Sequence, residues 1–376
     1  MHAINSDSAC VRLFEHDLAA GLCLAQAHLN AEATLNSLSL DMIDILEPAL
    51  RAWQTDERIV AVVLSAAGDR AFSAGGDVQA LYHAMVENHF RGERVDDYPY
   101  DFFEREYRLD YLIHTYTKPV IALGHGIVMG GGLGLFSASN IRVVTERTRV
   151  AMPEVSIGLF PDAGATWLLR NLPEHVALFL GMTGSAVNAT DAMAVGLATH
   201  AVAAATISQF PERLLELAWQ GQPDADGQLI ADCLVGLAPD ELADGNIHHL
   251  PRTLTLRSEL SDVVAQMRAL AGQSAWIDKG LASMGSGCPS SVGIVHEQLL
   301  RSKDLSLADC FRLEMTVATH CADNHDFMEG VRALLIEKDN APVWQFGDLE
   351  SLPHDYIDSH FVEPWPENPL HDLVAS

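Results

Sequence analysis

Basic residues are scarce. Against 51 Asp and Glu the chain of 376 residues carries 23 Lys and Arg, a formal net charge of −28. Nucleic acid and anionic membrane both call for a basic face, so the balance argues against either as a partner. An anionic ligand would have to be met by locally placed Arg or Lys. The six cysteines (Cys10, Cys23, Cys233, Cys288, Cys310, Cys321) are scattered, with no CxxC pair. That argues against a zinc site and a disulfide frame, and for reduced thiols. No metal is expected. No apolar run reaches the length that spans a bilayer. The opening "MHAINSDSACVRLFEHD" has neither a basic segment followed by an apolar one nor the Arg-rich look of a transit peptide. A cytoplasmic location is the resulting expectation. There is no GxSxG for a nucleophile elbow and no P-loop lysine after the glycines, which turns the reading away from a serine triad and from nucleotide hydrolysis. Internal repeats and low-complexity tracts are missing too.

What is present reads as a globular protein: 48% of residues are hydrophobic and 20% charged, a balance outside the disordered range. The length is enough for a core domain and a second piece. Val11 to Gln26 holds two short apolar runs around Ala19-Ala20-Gly21, the pattern of a hairpin. Ser37 to Trp53 has apolar residues at helical spacing, with Ser39 placed to cap. Ile59 to Ser65 is β-branched and apolar on both faces, as in a sheet covered on both sides. Val120 to Leu123 and Ile141 to Thr145 are two more strands. Strands alternating with helices predict an α/β fold with a mostly parallel sheet. After about Ala204 strand-like runs become rare. Helical stretches follow at 211–219, 227–235, 256–271, 291–300, 306–322 and 326–335. "GSGCPSS" at 285–291 reads as a loop ending in a cap, and the Pro-rich tail "PWPENPLHDLVAS" as loosely ordered. The predicted organisation is a core over 10–204 and a mainly helical region over 205–376.

The chain is organised around Val120 to Trp167. A buried strand leads into Gly124, Gly126, Gly130, Gly131 and Gly132, then into a small apolar run that reads as a helix beginning at the triple glycine. Glycines let backbone N–H groups approach a ligand closely, and a helix N-terminus suits an anion or a developing oxyanion. Two carboxylates, Glu154 and Asp162, follow in apolar surroundings. Taken alone, Asp162 reads equally as a helix cap, Glu154 as a solvated edge residue, and Glu106 as a surface salt-bridge partner on an amphipathic helix. His125, between two glycines, reads as structural.

"AFSAGGDVQAL" and "HGIVMGGGLGLF" together resemble the crotonase (enoyl-CoA hydratase/isomerase) superfamily. "MPEVSIGLFPDAGATWLL" and "HDFMEGVRALLIEKDNAPVW" resemble its 3-hydroxyisobutyryl-CoA hydrolase branch. The resemblance runs from about residue 12 to 362, and it implies a crotonase spiral of ββα units followed by the helical C-terminal region. It also implies an oxyanion hole from the N–H groups of Gly76 and Gly131, with Gly75, Asp77 and Gly130 beside the substrate. Glu154 and Asp162 would carry the chemistry, and Glu106 of "FFEREY" would lie in the substrate pocket. The implied partner is an acyl-CoA substrate, with no separate cofactor. Crotonases assemble as trimers or hexamers, so a homo-oligomer is implied unless the C-terminal region covers that surface. The implied activity is hydrolysis of a short 3-hydroxyacyl-CoA, 3-hydroxyisobutyryl-CoA in valine breakdown foremost. One departure counts against the hydratases: the second glutamate they carry two residues after the triple glycine is here Gly134, which can be neither acid nor base. Enoyl-CoA hydration or isomerisation and non-catalytic acyl-CoA binding are the alternatives.

Overall fold

The computed structural model describes residues 2–4 and 9–374. It divides into two compact units. One comprises Met1–Gly76, Leu109–Val150 and Val187–Gly245; the other comprises Asp77–Arg108, Ala151–Ala186 and Asn246–Ser376. The expected cut between 204 and 205 coincides with neither, because each unit draws on chain from both sides of it. Local periodicity identifies elements but not which distant segments pack together.

The strands among the described residues are β1 His2–Ala3, β2 Val11–Asp17, β3 Cys23–Leu29, β4 Ile59–Ala66, β5 Ala71–Ser73, β6 Val120–Gly124, β7 Ile127–Met129, β8 Ile141–Thr145, β9 Arg149–Ala151 and β10 His200–Val202. Seven form one sheet in the order β1-β2-β3-β4-β6-β8-β10. The β1–β2 and β2–β3 pairs are antiparallel; β3–β4, β4–β6, β6–β8 and β8–β10 are parallel. The order β5-β7-β9 makes a second, small sheet. The mostly parallel α/β reading holds.

Sequence accounts for much of this. Ala20 adopts φ 58° in the turn that closes the β2–β3 hairpin. Every residue of β4 is buried, as a β-branched strand apolar on both faces requires. Ser39 Oγ accepts the Met42 N–H at 3.3 Å and caps helix Leu40–Thr55, as its position predicts. One face of the large sheet (Leu24, Ala61, Val63, Ile121, Leu123, Val143, Val202) packs in a core with Phe210, Leu214, Ile230 and Leu234 from the following helices.

After Val202 every regular element among the described residues is helical, so the helical character of the C-terminal region is as expected. Two details differ. "GSGCPSS" is not a loop: Ala275–Ser286 and Pro289–Arg301 are helices with only Gly287 and Cys288 between them. Pro289 sits at the first helical position, where its missing N–H costs nothing, so the Gly/Pro/Ser composition marks a helix junction. Through Val374, the last described residue, the tail is not loose either. Leu370 is fully buried, the Arg312 guanidinium donates to the carbonyls of Leu370, His371 and Leu373, and Arg108 pairs with Asp372 at 2.9 Å.

Candidate active site

In the first unit the glycines make two turns that lie side by side. Gly75 has φ 121° and Gly130 φ 50°, conformations that L side chains rarely adopt. A Cβ on Gly75 would sit 3.7 Å from the Met129 carbonyl oxygen and 3.9 Å from Gly130 Cα. One turn is anchored by the Leu38 N–H, which donates to the Gly75 carbonyl at 2.8 Å. The other opens helix Gly131–Ala138, with Gly130 as cap residue. Gly132 must be glycine for packing, since a Cβ there would meet Ser73 Cβ at 2.5 Å. The N–H groups of Gly76 and Gly131 donate to no backbone acceptor among the described residues. Two unpaired amides on adjoining turns can stabilise an anion.

The second unit gathers the carboxylates. Glu106 is 2% exposed and Glu154 4%; Asp162 is half-buried. Glu106 lies on helix Tyr98–His114, and Glu154 opens the one-turn segment Glu154–Ser156. Burial is the first cause that pushes the Glu106 carboxyl well above its ordinary range, followed by the charges of Asp162, Glu314 and Glu154. Burial, then Asp162, does the same to Glu154. Burial pushes Asp162 up to about 6, against the pull of the Tyr107 hydroxyl, which donates to Asp162 Oδ2 at 2.8 Å. Glu106 Oε1 and Glu154 Oε2 are buried with no hydrogen-bond partner among the described residues. Leaving such an atom unpaired costs about 1–3 kcal/mol, which marks these two oxygens as places for a ligand or a water to bond.

Thus Glu106, Glu154 and Asp162 come together in one acidic cluster. None of the three is an exposed residue or a helix cap. Glu106 is not a surface partner; Arg108 pairs instead with Glu104, at 3.0 Å. Asp162 does not cap the helix that follows. Helix Ala165–Arg170 has Gly164 as its cap residue with no side-chain cap bond. Asp77 is occupied as the cap of helix Val78–Arg91, accepting the Ala80 N–H at 3.3 Å.

Sequence reasoning missed two members. Tyr107 orients Asp162. Glu314, fully buried, accepts the N–H groups of Gly164 and Thr166 at 2.8 and 2.7 Å. Burial pushes Glu314 up to about 8, while those donors pull down. The available signal was its place between Phe311 and Met315 on the apolar face of helix Leu307–Asp323, where an acid is out of pattern.

A family model described as Enoyl-CoA hydratase/isomerase matches residues 24–361. The 3-hydroxyisobutyryl-CoA hydrolase, mitochondrial, of Gallus gallus is 33% identical over 374 residues, 97% of this chain and 92% of that protein. The chain belongs to the enoyl-CoA hydratase/isomerase family. Its fold agrees: a carnitinyl-CoA dehydratase from Mycobacterium thermoresistibile superposes with a TM-score of 0.80 at 29% identity, covering 96% of this chain and 98% of that one. The small ribosomal subunit protein mS47 of Neurospora crassa is also similar, 31% identical over 368 residues, 93% of this chain and 72% of that protein. The Gallus gallus relative is named as mitochondrial, whereas the sequence led here to a cytoplasmic expectation. Among the described residues no helix is long and apolar enough to cross a membrane.

Within this crotonase-family fold the late segment "HDFMEGVRALL" acquires a physical reason. A Cβ on Gly330 would lie 2.3 Å from the carbonyl carbon of Ile157, and one on Gly158 would lie 2.3 Å from the Asp326 carbonyl oxygen. Helix His325–Val331 therefore packs backbone to backbone against the loop that leaves Glu154.

Proposed function

We propose that this crotonase-family chain hydrolyses the thioester of a short 3-hydroxyacyl-CoA, with 3-hydroxyisobutyryl-CoA the first candidate, to the hydroxy acid and free CoA. The N–H groups of Gly76 and Gly131 stabilise the negative charge that develops on the thioester oxygen. Glu154 delivers the attack, either directly to give a mixed anhydride or as general base on a water. Asp162 binds the substrate hydroxyl, orients the water or, in its protonated form, protonates the departing CoA thiolate; in the anhydride route that water then splits the anhydride and regenerates Glu154. Glu106 reads the 3-hydroxyl. Gly75, Gly130 and Asp77 line the approach of the acyl chain.

The observation that carries this reading is the pair of buried, unpartnered carboxylate oxygens on Glu106 and Glu154. A hydroxyl and a water are what such oxygens accept from. The hydrolase names of the relatives support the same choice. Addition of water across a double bond is the weaker reading, because Gly134 stands where a second acid would be needed. A non-catalytic role draws on the ribosomal relative, but the two unpaired amides and the acidic cluster are what hydrolysis would use.

Release of free thiol from a panel of 3-hydroxyacyl-CoA and enoyl-CoA substrates, followed with a thiol dye, is the test. Glu154→Gln is expected to lower kcat by about 10²-fold or more, in the range of general acid–base groups. Because attack needs the ionised form of a carboxyl held above its ordinary range, activity should be lost as pH falls well before an ordinary carboxylate would protonate. Near-normal turnover by Glu154→Gln, or tight acyl-CoA binding with no thiol release by the unmodified chain, overturns the assignment.

A further inference from the structure

The loop that presents Asp162 has little local support for its shape beyond the Ala165 N–H, which donates to the Asp162 carbonyl at 3.0 Å. Ala163 takes φ 54° and Gly164 φ 85°, two left-handed residues in succession. The helix it enters, Ala165–Arg170, is six residues long and has no capping side chain of its own. A strained turn of this kind persists only where its surroundings over-determine it.

Those surroundings come from far along the chain. Both oxygens of Glu314 are used: Oε2 accepts the Gly164 N–H and Oε1 the Thr166 N–H. On the other side, Gln298 Nε2 donates to the Pro161 carbonyl and to Thr166 Oγ1, each at 2.7 Å. Glu314, Gln298 and Thr166 are all fully buried. Asp162 is thus bracketed on both sides, at Pro161 and at Gly164 to Thr166, by side chains from helices Leu307–Asp323 and Pro289–Arg301. The only side-chain partner of its own carboxylate among the described residues is the Tyr107 hydroxyl.

We infer that Glu314 and Gln298 are positioning residues that hold the Pro161–Thr166 loop so that Asp162 meets Tyr107 and the substrate in one fixed orientation. Neither acts on the substrate; each acts through Asp162. The inference rests on the hydrolase reading for its kinetic consequence, but not for its structural one. A serine or aspartate at the cap position would have satisfied the helix N-terminus locally and cheaply. A remote, buried carboxylate that takes two N–H groups instead ties the loop to the C-terminal helices. A misplacement of about 1 Å at a reacting group is enough to cost about 10²-fold in rate.

The test uses Gln298→Leu, which removes two hydrogen bonds without changing charge, and Glu314→Gln, which keeps the shape and one acceptor. Each is measured for kcat and KM on 3-hydroxyisobutyryl-CoA, alone and combined with Asp162→Asn, with thermal unfolding to confirm folding. The expected result is a fall in kcat of about ten- to a hundredfold for Gln298→Leu, with KM within about threefold of the parent. In the Asp162→Asn background the same change should cost nothing further. A folded Gln298→Leu variant with parental kcat, or a loss that multiplies with that of Asp162→Asn, overturns the inference. A second readout is independent of turnover: the titration of the Asp162 carboxyl, followed by carbon-13 NMR in aspartate-labelled protein. It should move in Gln298→Leu, and an unmoved titration overturns the inference. If the parent chain cleaves no 3-hydroxyacyl-CoA, the hydrolase reading fails, while the titration still decides the clamp.

Discussion

Glu106 sits in "FFEREYRLD", flanked by Arg105 and two residues after Glu104, yet it is 2% exposed. Its neighbours in the chain describe a surface; the charges that act on it in space are those of three other acids, Asp162, Glu314 and Glu154. The consequence for stability has a definite sign. In the unfolded chain a glutamate releases its proton near about pH 4.3. In the folded protein burial and the charges of Asp162, Glu314 and Glu154 hold the proton on to a much higher pH. Between those two values folding takes up a proton, so stability falls as pH rises through the window. Glu106→Gln abolishes that uptake. Thermal melts from about pH 5 to 8 should show a flatter dependence for the variant and a higher Tm at the alkaline end. Parallel curves would mean that Glu106 is ionised when folded. The charge-rich setting of Glu106 misleads sequence reading for a simple reason: burial depends on what packs over the helix, and that is a non-local property. Asp162 misleads in a related way. Its position after a proline suggests a cap, but the cap bonds go to Glu314, 150 residues away from Gly164.

Helix His325–Val331 and the turn after Glu154 form a pair whose fit depends on two missing methyls, at Gly330 and Gly158. A Cβ on Gly330 would approach the backbone of Ile157 to 2.3 Å, a contact that backbone cannot yield to without moving. Gly330→Ala should therefore destabilise the protein by about 1–3 kcal/mol, the usual cost of overpacking. It should also lower activity, because Ile157 is three residues from Glu154. Gly285→Ala is the matched control. Gly285 lies within helix Ala275–Ser286 with open space around it, so alanine there should be neutral or stabilising by up to about 1 kcal/mol. Denaturant unfolding of the two variants side by side makes the comparison. Equal effects would show that backbone contact at Gly330 is not what matters. Elements with strong local signals were legible: the hairpin around Ala20, the Ser39-capped helix, the all-buried β4 and the helix that opens at Gly131. The helix Ala275–Ser286 was not, because "GSGCPSS" carries loop-forming residues that here fall at a helix end, where Pro and Gly are equally at home.

The molecule as a whole is assembled from interleaved segments. The unit that holds Glu106, Glu154 and Asp162 comprises Asp77–Arg108 and Ala151–Ala186 together with Asn246–Ser376. A fragment ending at residue 204 would contain every proposed catalytic residue, yet it would lack Phe311 and Phe327, which pack against Tyr107 and Phe103 at ring distances of 6.1 and 6.5 Å. It would also lack Glu314 and Gln298. Such a fragment is expected to show no cooperative thermal transition by circular dichroism and no thiol release, whereas the full chain melts cooperatively. A cooperative melt of the fragment would show that the first 204 residues form an independent domain after all.

Local pattern was enough to reveal the alternation of strands and helices, the helical character after Val202 and the glycine-rich turns, because each depends on residues within a few positions of one another; the acids at 106, 154 and 162 stood out as site residues only through the resemblance to crotonases. Folding alone decided which acids are buried together, what holds the Asp162 loop and where the compact units divide. Those outcomes depend on contacts between segments far apart in the chain, 55 residues from Tyr107 to Asp162 and 150 from Gly164 to Glu314, and hydrophobic burial and backbone hydrogen bonding leave no fixed spacing from which such contacts could be read.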